Sequence, residues 1–67
     1  MPKCPKFDKN LRKLRLKNKK TQEQLADDLI ITRASLGAYE EGRAVPSLQI
    51  LINMADYFGI TVDELIK

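Results

Sequence analysis

At 67 residues with a formal charge of +3 and 43% hydrophobic content, the chain has room for one small domain, which buries only about 60% of its unfolded surface. A single cysteine, Cys4, and no histidine exclude an internal disulfide and a zinc site of the usual ligands, and point to a reducing compartment. No apolar run approaches the ~20 residues that span a bilayer, and the basic start lacks the apolar stretch of a signal peptide, so a cytoplasmic protein is expected, without membrane contact.

Residues 1–7 contain Pro2 and Pro5, which disfavour helix, and are expected to form an N-terminal arm ahead of a domain over 8–67. A first helix over about 8–18 turns Leu11 and Leu14 inward and Lys9, Arg12, Lys13 and Lys17 to water. Lys19 and Lys20 connect it to the run TQEQLADDLIITRASLG (21–37), which reads as two short capped helices joined by a tight turn. Thr21 is a good N-cap, with Gln24 three residues on to complete a capping box; Leu25, Ala26 and Leu29 mark one face. Thr32 offers the next N-cap, and Leu36 and Tyr39 continue an apolar face until Gly42 supplies a stop. Helices this short must cross steeply, leaving the second free to enter a DNA major groove.

A loop over 42–46 leads to Ser47, the N-cap of a fourth helix with Leu48, Leu51, Ile52, Ala55 and Phe58 at core spacing, ended by Gly59. Thr61 and Glu64 form a second capping box for a last helix over 62–66, whose Leu65 returns to the core. The expected fold is all-α, with five helices.

Charge is distributed unevenly. Residues 1–20 carry nine lysines and arginines against Asp8 alone, whereas the remainder carries Arg33, Arg43 and Lys67 against eight acids. Such a patch draws a polyanion electrostatically, with strong salt dependence, although a solvated basic tail has the same composition.

The segments LRKLR (11–15), TQEQLA (21–26), TRASL (32–36), YEEG (39–42), PSL (46–48) and DEL (63–65), in this order and spacing, resemble the lambda-repressor-like, or Cro-type, helix-turn-helix DNA-binding domains of phage and bacterial regulators. The resemblance covers about residues 11–66 and implies a compact five-helix domain that binds double-stranded DNA. Helix three, about 33–41, would lie in the major groove. It further implies that Gln22, at the start of helix two, donates to a phosphate where the helix terminus is partly positive. Thr32, Arg33, Ala34, Ser35 and Ala38 would form the groove-facing side of helix three, and Arg43 would contact a phosphate. Arg33 is the best candidate for base reading, since its planar fork can donate twice to guanine, worth about 1–3 kcal/mol of discrimination; a phosphate clamp is the alternative. Ala34 and Ala38 can meet thymine methyl groups. Arg15 and Glu40 match an ion pair of the family and are expected to be structural.

Two positions depart from the family pattern. Ile30 stands where glycine is usual in the turn, and a β-branched residue at positive φ is strained by about 1–2 kcal/mol, so a turn of another conformation is expected. Leu16 stands where a charged residue is usual, to be packed by the arm or left exposed for a partner.

The expected function is a transcriptional regulator, most simply a repressor, that recognises double-stranded DNA as a homodimer, with Ile50, Tyr57, Ile60, Val62 and Ile66 as candidates for the subunit contact. A protein-interaction module, such as an antitoxin or adaptor with weak DNA readout, is the alternative. No catalytic group, metal ligand set, cofactor motif or small-molecule substrate is indicated, because there is no histidine, no base beside Cys4 and no glycine-rich phosphate loop.

Overall fold

A computed structural model describes residues 6–67, so most of the expected arm over 1–7 lies outside the described residues. Five helices follow in chain order: α1 (Phe7–Lys17), α2 (Gln22–Leu29), α3 (Arg33–Glu40), α4 (Leu48–Phe58) and α5 (Val62–Ile66). There is no strand among the described residues.

The starts of α2 to α5 are set by side-chain caps. Thr21, Thr32, Ser47 and Thr61 all hold extended backbone while their hydroxyls accept the N–H three residues on, and Thr21–Gln24 and Thr61–Glu64 are complete capping boxes. At the start of α1 no side chain caps the helix. Phe7 is instead its first residue and is buried, its ring set edge-on to Tyr39 of α3 at a centroid distance of 6.4 Å. Phe7 therefore belongs to the packed domain rather than to the arm in which its neighbouring prolines place it.

The ends of α1 to α4 share one device. Lys19, Ile30, Gly42 and Gly59 adopt positive φ, and each donates to the carbonyl three residues back (Leu16, Asp27, Tyr39, Asp56). The following residue then donates to the carbonyl five residues back, giving four Schellman closures. Glycine holds two of these positions, as the sequence predicts for Gly42 and Gly59. Ile30 corrects the expectation for the turn. Its φ of 59° and ψ of 46° are left-handed despite the branched side chain, and the side chain is 90% exposed. The two closing hydrogen bonds, from Ile30 to Asp27 and from Ile31 to Ala26, are formed only with a left-handed residue there, and they hold Ile30 against its local preference.

Every helix contributes one wholly buried side chain to the centre: Leu11, Leu25, Leu36, Met54 and Leu65. Phe7, Ala26, Leu51 and Ala55 complete the core, with Leu14, Leu29, Tyr39 and Phe58 packed against it. Two expected core residues are not there: Leu48 is 67% and Ile52 37% exposed, and Met54 takes the central place instead. Apolar residues cover more than half the circumference of α4, so helical spacing alone cannot say which arc turns inward; the position of α2 and α5 decides it.

Candidate nucleic-acid interface

The site is built around one buried acid. Glu40, at the end of α3, is 9% exposed and receives a fork from Arg15 of α1, Nε donating to Oε2 at 2.7 Å and Nη2 to Oε1 at 3.1 Å. Arg15 Nη1 also donates to the carbonyl of Lys20 at 3.0 Å, and Gln22 Nε2 donates to Glu40 Oε1 at 3.2 Å. Four segments are thereby joined: α1, the connection before α2, the first residue of α2 and the last of α3. The Arg15–Glu40 pair lies inside the fold, with the side chains only 11% and 3% exposed.

Because Gln22 reaches back to Glu40, the start of α2 lies against the middle of α3. A Cβ placed on Gly37 would come 4.0 Å from Gln22 Oε1. One of the two N–H donors of the Gln22 amide, expected on a phosphate, is engaged within the protein; the helix terminus that carries it remains beside an open cleft of about 500 Å³, lined by Arg15, Leu16, Lys19, Lys20, Thr21, Gln22, Glu23 and Arg33. Lys19 is a cleft residue outside the family-like segments 11–15 and 21–26. Its signal in the sequence is its place two residues before the Thr21 cap.

On α3, Arg33 and Ala34 are exposed, while Ser35 and Ala38 are half-buried. Arg33 makes no salt bridge among the described residues. Thr32 and Ser35 satisfy one another: Thr32 Oγ1 accepts the Ser35 N–H at 3.0 Å and donates to Ser35 Oγ at 2.8 Å. Both hydroxyls thus serve the helix start first. Arg43, in the loop after α3, is exposed and paired with Glu41, Nε to Oε1 at 2.7 Å. An ion pair this exposed is worth little, so the arginine exchanges partners at small cost.

A second polar cluster braces the motif from behind. Asp28 of α2 accepts from the Tyr57 hydroxyl of α4 at 2.5 Å and from Lys20 Nζ at 3.2 Å. The Tyr57 hydrogen bond, then that of Lys20, holds the Asp28 carboxyl below its ordinary range. The same bonds, to the Asp28 carboxylate, raise the titration of Tyr57 and of Lys20. Among the described residues there is no group of His, Cys, Asp and Glu able to hold a metal ion, and no helix long and apolar enough to cross a membrane.

Comparison with known proteins finds a family model described as Helix-turn-helix matching residues 11–65. The HTH-type transcriptional activator BcrR of Enterococcus faecalis is 34% identical over 91% of this chain and 30% of its own length. The HTH-type transcriptional regulator YqaE of Bacillus subtilis is 41% identical over 91% of this chain and 53% of its own. The cryptic phage CTXphi transcriptional repressor RstR of Vibrio cholerae is 41% identical over 69% of this chain and 41% of its own. The chain thus spans about half the length of these relatives or less. No solved structure matches.

Proposed function

The chain belongs to the helix-turn-helix family, and from that premise we propose that it is the sequence-reading part of a transcriptional regulator, acting as a repressor by occupying double-stranded DNA as a homodimer in the cytoplasm. The observation that carries this reading is the clamp on Glu40, which registers the end of α3 against the start of α2, so that the exposed Arg33 and the start of α2 line one cleft. One short exposed helix fits the major groove while the neighbouring helix start meets the phosphate backbone, and these are the two contacts that sequence readout requires.

In this reading the positive end of α2, the second N–H of the Gln22 amide, Lys19 and Lys20 receive the phosphate, while the first Gln22 N–H orients the helix start through Glu40. Arg33 stands at the cleft rim and donates its fork to a guanine edge. Ala34 and Ala38 offer methyl groups to thymine and let the α3 backbone approach closely. Thr32 and Ser35 hold the first turn of α3 rigid and stand next to the backbone of the duplex. Arg43 exchanges Glu41 for a phosphate. The relatives named as an activator and as a repressor share this segment, so the fold by itself does not set the sign of regulation. A single recognition helix reads only a few base pairs, which is the reason for two copies on half-sites about 34 Å apart.

Selection of bound duplexes from a randomised library at stated ionic strength is the test. Enrichment of a short motif repeated with inverted symmetry is expected. Absence of any enriched sequence, with only salt-sensitive binding, would count against specific readout.

A further inference from the structure

We propose that the outer flank of the first two turns of α4, together with the loop before it, is the surface through which two copies of this chain pair, a proposal that rests on the homodimeric reading above. The residues are Val45, Leu48 and Ile52, exposed by 51%, 67% and 37%. Leu48 and Ile52 stand one turn apart on one side of α4, and Val45 precedes Leu48 by three residues.

Two observations assign a second copy as the occupant. The first is charge. Residues 44–55 form a run of twelve without a charged side chain, the longest in a chain that is 31% charged, and the polar groups beside the apolar ones, Gln49 and Asn53, are neutral and hydrogen-bonded to each other at 3.0 Å. In a two-fold contact each patch meets its own copy, so a charged face repels itself and a neutral apolar face does not. The exposed Lys9, Arg12, Lys13 and Lys17 of α1 fail that condition. The other exposed aliphatic residues are isolated: Ile30 follows Asp27 and Asp28, and Leu16 sits between Arg15 and Lys17.

The second observation reduces the competing surface. Ile50, Ile60, Val62 and Ile66 pack against the core of their own domain, and Tyr57, though 38% exposed, is tied through its hydroxyl to Asp28, so most of the apolar surface that the sequence suggests for pairing is already engaged. The α4 flank begins just past the end of α3. A two-fold axis there carries the two α3 helices on either side of itself in inverted orientation, the symmetry of a palindromic site.

The experiment is sedimentation equilibrium of the whole 67-residue chain and of Leu48→Glu, Asn53→Lys and Leu16→Glu, with circular-dichroism melts of each, followed by binding to single and paired half-sites from the library selection. The wild-type chain and Leu16→Glu are expected to dimerise alike, and Leu48→Glu to raise the dimer dissociation constant at least about tenfold. Asn53→Lys changes an exposed neutral residue on the same face, and weakens pairing by self-repulsion even if Leu48→Glu should fold poorly. On DNA, both α4 variants should retain single half-sites and lose cooperative filling of paired ones. A wild-type chain that stays monomeric at millimolar concentration, a dimer indifferent to both α4 substitutions, or one dissolved by Leu16→Glu overturns the proposal. A dimer sensitive to Leu48→Glu that selects no duplex leaves this interface standing and removes the regulator reading instead.

Discussion

Arg15 and Glu40 meet as a two-pronged fork, at 2.7 and 3.1 Å, across 25 positions of sequence, and the carboxylate that receives the fork also receives Gln22. The start of α2 and the end of α3 are therefore registered against each other by a single buried charge. Positioning of the two elements proposed to face DNA and stability of the fold rest on the same atoms.

Removing the arginine leaves Glu40 buried with only the Gln22 amide as partner. Arg15→Ala is expected to destabilise the domain by about 3–5 kcal/mol, a large fraction of what so small a core supplies. In urea denaturation the double change Arg15→Met with Glu40→Leu should recover much of the loss, because it removes the stranded charge. A double variant no more stable than Arg15→Ala would show that the pair matters for more than neutralisation.

Ile30 holds a left-handed conformation with its side chain in water, so it loses backbone energy there and gains little packing. Ile30→Gly relieves about 1–2 kcal/mol of strain and gives back about 0.5–1 kcal/mol through the freedom of glycine in the unfolded chain. A net gain of up to about 1.5 kcal/mol is expected in stability from denaturant titration. A loss would mean that the isoleucine makes a contact that its exposure conceals.

The Lys20–Asp28–Tyr57 cluster gives a pH signature. Asp28 titrates below its unfolded value, so its contribution is present above about pH 4 and is lost as pH falls through the folded value. Tyr57 and Lys20 titrate above theirs, so their contribution is full below about pH 10 and is lost as pH rises through the folded values. The stability difference between wild type and Tyr57→Phe should be largest between those limits and shrink on both sides. All three groups face solvent, so the difference is small, and thermal melts across a wide pH range in low salt are the suitable measurement. A difference that stays constant from strong acid to strong base would remove the hydrogen bond from the account.

Arg33 distinguishes reading from clamping. If it donates to a base edge, Arg33→Ala relaxes preference at one base pair by about 1–3 kcal/mol and leaves the rest of the motif intact. A uniform loss over all sequences, with the log-log salt slope shallower by about one, would assign it to a phosphate.

The caps of α2 to α5 and the glycine stops after α3 and α4 are legible in the chain because each depends on residues within a few positions of itself. Thr21 with Gln24, Thr61 with Glu64, Ser47, Gly42 and Gly59 all act where local chemistry places them. The ion pair of Arg15 and Glu40 is legible for another reason, since both positions match the family pattern. Position 30 is different: its local preference opposes the conformation it holds, and only the closure around it, fixed by the packing of α2 and α3, wins.

The sequence by itself thus determined where α2 to α5 begin, where two of the helices stop, and that a capped pair carries an arginine at its second start. Tertiary structure alone decided that Phe7 is core, that Met54 and not Leu48 or Ile52 lies at the centre, and that the Gln22 amide turns to Glu40. Caps are satisfied by hydrogen bonds spanning three residues, whereas the buried arc of a helix and the partner of a long polar side chain are chosen by neighbours distant in the chain. No local pattern records which neighbours those will be.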